Sequence, residues 1–378
     1  VTASPPALLL RDAGGWRTLT RAELDARVRE LAHGMVEAGL PAGGVVALEH
    51  AADGDALLVA IAALEAGAVV ALGPAVPPFD VVLAADPARA AACAAAAGVG
   101  DPLALSAVAA DAGRSLERLA AHGVVRRALR PEELADRARL RRGGDAAVRG
   151  ADGATVALGR LHAGVGTLRA VGDLLRPGET MLAARPIDRP WVLALALAAL
   201  EASAPVAVGG IADAAAVRAG PIATTAEEAE ALAAAMPVSP GPLERRMRAA
   251  SLRLQRGDRA RLAVLRAARV LLGGGARPPA RCLVVDDRLV PRDACTRLHG
   301  AGATVLHAAA DDRLAAPVLL NRPHRYRFDA LGLPLPGHRA AIEEGELVVR
   351  GPAAPEGGPL RTGLLVREGP DGFLAPVR

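Results

Sequence analysis

From Thr20 to Leu40 the chain reads TRAELDARVRELAHGMVEAGL, with apolar residues recurring at helical spacing. Thr20 and Glu23 form a capping-box pair, so the pattern predicts a helix beginning just after Thr20. GGVVALEH, Gly43–His50, is a short apolar run that predicts a buried strand, and Asp55–Pro74 then reads as a helix, a glycine break and another strand. A second series starts near Asp145 with TVALGRLHAGVGTLRAVGDLL, ETMLAAR and WVLALALAALEASAPVAVGG, followed later by RCLVVDD and ATVLHAA. This alternation predicts parallel α/β sheets. From about Leu331 the chain turns rich in Pro and Gly with short apolar runs, which predicts a small β region. The approximate sublobes are thus 1–144, 145–330 and 331–378. The most apolar stretch, Trp191–Gly210, is interrupted by Glu201 and Pro205, so it predicts a buried helix running into a strand rather than a membrane span.

Composition sharpens this picture. With 378 residues, 52% hydrophobic and only 2% aromatic, the chain must build an aliphatic core, and few rings are available to stack on a base. All 45 basic residues are Arg, so chemistry that needs an ammonium group has no donor in this chain. Cys93, Cys282 and Cys295 follow no metal-ligand spacing, and the first residues lack signal-peptide order, which together predict a cytoplasmic protein. The histidines do not cluster with Cys or carboxylates, and no Ser lies in a G-x-S-x-G context, so no metal centre and no hydrolase nucleophile is expected. Leu243–Leu272 holds nine Arg against Glu244 and Asp258. It reads as an amphipathic segment with a solvated Arg face, or as a docking surface for an acidic partner. Nucleic-acid binding is disfavoured because neither interleaved aromatics nor a recognition motif accompanies it.

Three stretches carry a resemblance. They are Leu19–Pro78, Leu175–Val208 with its PIDRPW segment, and Gly332–Pro352 followed by RTGLL at Arg361–Leu365 and DGFL at Asp371–Leu374. In order and spacing they resemble the acyl-adenylate-forming superfamily, the AMP-dependent synthetases and ligases that include acyl-CoA synthetases and adenylation domains. The resemblance implies an α/β, acetyl-CoA-synthetase-like large N-terminal domain, made of two stacked α/β subdomains plus a small β region. It also implies that the small C-terminal domain, which carries a catalytic Lys, is absent, because APVR stands where the hinge would begin.

The same resemblance locates the nucleotide-site positions, and the residues found there are unsuited to it. The phosphate loop, Ser/Thr/Gly-rich and ending in Lys, corresponds to the short turn Arg149–Ala154, with Asp152 where phosphate charge should be neutralised. The glycine-rich turn that admits the adenylate corresponds to Asp286, Asp287 and Arg288. At the strand end where Tyr stacks on adenine and Glu holds magnesium, the chain has Ala308, Ala309, Ala310, Asp311, Asp312 and Arg313. Arg cannot ligate magnesium, which takes oxygen donors. The Asp that holds the ribose is Leu364, and the His of the central P-[LI]-x-H segment is Arg189. Adjacent residues on a strand face opposite ways, so Asp286 and Asp287 are not expected to share an ion. Arg189 and Trp191 lie where the family keeps its acyl pocket; they read either as a receiver for a carboxylate or phosphopantetheine phosphate beside an aromatic wall, or as a surface Arg beside a core Trp. The expectation is a degenerate, non-catalytic relative without cofactor, acting as a binding or scaffolding partner of an acyl carrier protein or an active synthetase, in fatty-acyl, polyketide or peptide biosynthesis. The alternative is an acid-activating ligase that uses ATP and magnesium in a rebuilt site or takes its C-terminal domain from another chain.

Overall fold

The computed structural model describes residues 4–12, 15–49, 53–84, 86–96, 103–106, 115–235, 279–323, 325–352 and 358–377, with Ala354 and isolated positions between 242 and 249. The Arg-rich segment Leu243–Leu272 lies outside the described residues, apart from those isolated positions.

A six-stranded sheet is built from β3 (Val45–Leu48), β4 (Val69–Leu72), β5 (Val81–Ala84), β6 (Leu103–Ser106), β7 (Ala146–Arg149) and β8 (Thr155–Ala157), in the order β6-β5-β3-β4-β7-β8. All neighbours are parallel except β7 and β8. A nine-stranded sheet has the order β15-β14-β13-β12-β11-β9-β10-β1-β2. Its parallel centre comprises β9 (Met181–Ala183), β10 (Val206–Val208), β11 (Pro221–Thr224), β12 (Arg281–Val285) and β13 (Thr304–Ala309), with β1 (Pro6–Asp12) parallel to β10. Antiparallel strands close both edges: β2 (Gly15–Thr20) on one side, β14 (Leu319–Leu320) and β15 (Leu333–Pro334) on the other. The third sheet is an antiparallel meander of β16 (Arg339–Glu343), β17 (Glu346–Arg350), β18 (Leu360–Glu368) and β19 (Leu374–Pro376).

Strand alternation decides which face each residue serves. Val46, Leu48, Val70 and Leu72 of the first sheet share one core with Met181, Ala183, Val206 and Val208 of the second. Their neighbours Ala47, Ala71 and Val82 turn outward under α3 (Pro87–Ala96), while Leu182 and Ala207 pack on the opposite side of the second sheet. Between the two sheets run α1 (Arg21–Glu37), α2 (Gly54–Glu65), α6 (Leu158–Arg169) and α7 (Pro190–Glu201). Helices buried from both sides need apolar residues all round; α7 buries Pro190 through Ala196 without a break, as its sequence PWVLALALAALE requires. α8 (Ala226–Ala234) and α9 (Arg292–Ala301) cover the far face of the second sheet over Cys282, Val284 and Val305. The expected helix start is present: Glu23 N donates to Thr20 Oγ1 at 3.3 Å, and Thr20 N donates back to Glu23 Oε2 at 2.8 Å.

The expected sublobes do not coincide with the sheets. β7 and β8 follow residue 144 yet complete the first sheet, while β1 and β2 open the chain yet close the second. β14 precedes residue 331, but β15 follows it in the same sheet. Strand pairing across such separations leaves no local mark in the sequence. Among the described residues no helix is long and apolar enough to cross a membrane, Trp191–Gly210 included.

Two features give direct tests. α1 crosses α4 (Leu116–Leu129) at a pair of glycines, where a Cβ on Gly123 would lie 1.7 Å from the Glu30 carbonyl oxygen and one on Gly34 2.1 Å from that of Leu119. Gly123→Ala should therefore lower the urea midpoint by the equivalent of roughly 2 kcal/mol or more, since an overfilled contact costs about 1–3 kcal/mol. Gly144→Ala, with nothing within 4 Å of its Cβ, should leave it unchanged.

His307 on β13 is 1% exposed and its Nε2 accepts from Val290 N at 3.1 Å, which requires a neutral ring. Burial pushes its pKa from 6.5 down to about 4. The unfolded chain therefore takes up this proton first as pH falls, and stability is lost between pH 6.5 and 4, by on the order of 3 kcal/mol at about 1.4 kcal/mol per unit. Urea midpoints at pH 7 and pH 4.5 should show this loss, and His307→Gln should flatten it.

Candidate functional site

In open α/β sheets the carboxyl ends of parallel strands leave a crevice for ligands. Here the loops following β9, β12 and β13 converge at that edge of the second sheet, and the turn after β7 reaches them from the first.

The turn after β7 is tight and closed on itself. Gly150 N donates to Ala154 O at 2.8 Å and Gly153 N to Gly150 O at 2.9 Å, with Gly153 at φ +82°. Asp152 is exposed, and its carboxylate accepts from Ala154 N at 2.9 Å. The turn lies beside the loop after β13: a Cβ on Gly150 would sit 3.8 Å from the Asp312 carbonyl oxygen.

Arg189 is the residue immediately before α7, where Pro190 starts the helix without needing an N–H partner. Its guanidinium pairs with Asp312, joining the loop after β9 to the loop after β13. Half-exposed Arg189 and more buried Asp312 thus neutralise one another. The hydrogen bond to Asp312 raises the Arg189 pKa against the opposing effect of burial, with Asp312, Asp188 and Asp152 adding attraction. The neighbouring Arg313 is fixed in the same manner. Its Nε and Nη2 donate to the two oxygens of Asp311 at 2.8 and 2.6 Å, and Nη2 also donates to the Arg361 carbonyl on β18 at 2.8 Å.

The structure thus brings Asp152, Arg189, Asp312 and Arg313 into one cluster, together with Asp188 and Asp311. Four carboxylates face two guanidinium groups. Such a cluster carries its own counterions and retains an excess of negative charge.

The remaining positions face elsewhere. Ala309, the last residue of β13, is fully buried in a small core with Leu314, Leu319 and Leu347, so its methyl packs beneath the third sheet. Leu364 packs on the edge of that core, after Gly363 at φ +74°, whose N–H donates to Glu346 Oε1 at 2.7 Å. Trp191 is 3% exposed within the main core, and the Arg185 guanidinium sits 5.4 Å from its ring centroid. Trp191 is thus a core ring capped by a cation.

Asp286 and Asp287 depart from strand geometry. β12 ends at Val285, and in the bend that follows the two carboxyl groups meet. Asp286 accepts from Ala226 N at 2.9 Å and Arg288 N at 3.2 Å, so it holds the first turn of α8. Burial works to raise its pKa, but these hydrogen bonds and that from Asp287 bring it below the ordinary value. The bond to Asp286 raises the pKa of Asp287. Alternation along the strand does not apply once the strand has ended, which is why the two side chains approach each other. Among the described residues no group of three or more His, Cys, Asp or Glu is arranged to hold a metal.

Arg185 and Asp188 are not singled out by the sequence, and Asp311 is met there only as part of the run at the end of β13. Their signal lies in the alternation of acid and Arg in ARPIDRP and ADDR, which marks residues able to satisfy one another.

Comparison with known proteins supports the architecture. No protein-family model matches the chain, and no curated protein is similar to it in sequence. Solved structures match over nearly its whole length. VinN, solved in complex with L-aspartate, shares 18% identity at a TM-score of 0.69, covering 100% of this chain and 95% of VinN. The amide bond synthetase McbA from Marinactinospora thermotolerans shares 20% at a TM-score of 0.70, covering 99% of this chain and 76% of McbA. E. coli MenE, with a bound m-phenylether-linked analogue of OSB-AMS, shares 14% at 0.63, covering 99% and 74%. The chain has the α/β fold of the large N-terminal domain of the adenylate-forming enzymes.

The charged cluster can be tested by itself. In a double-mutant cycle with Arg189→Ala and Asp312→Ala, the coupling energy from urea unfolding should be about 1 kcal/mol, because Arg189 is too exposed for a strong pair. A coupling near zero would dissolve the cluster as a structural unit.

Proposed function

We propose that this chain keeps the adenylate-forming fold without the reaction, and acts as a non-catalytic binding or scaffolding partner. The observation that supports this reading most is the cluster of Asp152, Asp188, Asp311 and Asp312 around Arg189 and Arg313. Adenylation places a triphosphate and a magnesium ion at this edge of the sheet, and its transition state is stabilised mainly by positive charge arranged in advance. A carboxylate about 4 Å from a phosphate oxygen repels it by about 4 kcal/mol at an intermediate dielectric. The two guanidinium groups that would offset this are already engaged by Asp312 and Asp311.

Other positions act in the same direction. Leu364 offers a ribose no acceptor, and Ala309 offers adenine no ring. An acyl carrier protein or an active synthetase is the class of partner this reading favours, within fatty-acyl, polyketide or peptide biosynthesis.

Isothermal titration of the folded chain with Mg·ATP, then with a non-hydrolysable acyl-adenylate mimic, tests the reading. No saturable heat is expected from either. Saturable binding of either, or pyrophosphate exchange dependent on a carboxylic acid, would overturn it and restore a ligase with a rebuilt site.

A further inference from the structure

Away from the charged cluster, α1, α2, α6 and α7 meet α5 (Glu133–Leu140) around a groove with a volume of about 850 Å³. No member of the charged cluster lines it. Its floor is aliphatic, formed by Leu24, Val28, Leu134, Leu161 and Leu197. The first four of these are almost fully buried members of the main core, so the groove exposes the edge of that core between helices. An aliphatic floor in a depression of this size is a common feature of small-molecule sites, and here charged residues of both signs line the walls.

The polar groups on its wall are unevenly committed. Arg21 is tied to Asp25 at 2.9 Å, and Arg141 donates to the Leu64 and Ala146 carbonyls at 3.2 and 2.7 Å. Glu201 is held by Arg169 at 2.8 Å. Glu65 and His162 line the groove without a hydrogen bond or ion pair among the described residues, and two further groups, whose charges interact, are His33 and Arg127. His33 is 1% exposed, lines the groove, and has no hydrogen bond to Nδ1. The nearest acid, Glu133, is 4.0 Å away and is engaged by both Nε and Nη2 of Arg126 at 2.7 Å. Arg127, on the rim, makes no ion pair or hydrogen bond among the described residues, and its charge reaches His33. Burying a polar side chain without a partner costs free energy, and an acceptor supplied from outside the chain to the tautomer that carries its proton on Nδ1 would remove that cost.

We propose that this groove binds an amphiphile with one aliphatic chain and a small anionic head, carboxylate or phosphate. The chain lies along Val28, Leu134, Leu161 and Leu197, and the head takes a proton donor from His33 and the charge of Arg127. The proposal is independent of the nucleotide-site reading, because the two sites share no residue.

Calorimetric titration with decanoate and decyl phosphate, below their micelle concentrations, tests it on the full chain. Saturable binding is expected, with decanol at least tenfold weaker because it lacks the anion. Arg127→Ala should weaken decanoate at least fivefold, and Leu197→Trp, which fills the groove from a partly exposed position, should abolish it while leaving the circular-dichroism melt intact. Cosedimentation with anionic phospholipid vesicles, blocked by Leu197→Trp, would assign the head to a bilayer lipid; binding of the soluble amphiphiles alone would assign it to a free one. Equal affinity for decanol and decanoate, unchanged binding in Leu197→Trp, or no saturable binding to either anion would overturn the proposal.

Discussion

The ion pair between Arg189 and Asp312 is the interaction around which the candidate site is organised. It ties the residue preceding α7 to the loop after β13, and so holds together two strand ends of the second sheet. Arg313 extends the link to β18 through the Arg361 carbonyl, while the turn at Gly150–Ala154 brings the edge of the first sheet alongside. All three sheets therefore meet at one seam of matched and surplus charge. In a related fold that accepts a nucleotide, such a seam must open its cations toward solvent. In this chain the cations point at carboxylates of the chain itself.

Half-exposed ion pairs contribute little stability individually. Their effect here is on what the crevice can admit. An arriving polyanion would have to displace Asp311 and Asp312 from their guanidinium partners and then tolerate them nearby. Aliphatic packing reinforces the outcome from beneath, since Ala309 and Leu364 belong to the small core under the third sheet. Under the proposed reading, the polar seam and this core would oppose a nucleotide by different means, one by charge and one by the absence of any group to recognise it.

Much of this architecture is legible in the chain because it is written locally. Thr20 and Glu23 announce α1, and the unbroken PWVLALALAALE announces a helix buried on every side. The alternation of Val46, Ala47 and Leu48 places each residue on its face of the first sheet. Asp152, Asp312, Arg313 and Leu364 are likewise visible as residue types. Their partners are not. Nothing near Arg189 in sequence points to Asp312, and nothing near Asp286 points to the first turn of α8. Pairing between segments far apart depends on topology, which local pattern does not encode. Sheet membership crosses residue 144 for that reason: β7 and β1 read as ordinary strands, and only the sheet order says which sheet each one joins.

That sheet order also bears on how the molecule is made. β1 lies parallel to β10, with Leu8 opposite Val206, so apart from β2 it lacks its sheet neighbour until about two hundred further residues have followed. Until then β1 and β2 form a lone hairpin whose apolar edge is exposed, and an isolated hairpin is at best marginally stable in water. The first sheet, whose parallel strands all precede residue 150, can assemble earlier around α2. During synthesis the hairpin thus waits for β10, as does the core face of the first sheet that packs against the second. Docking of that hairpin against β10 is the event that completes this edge of the second sheet.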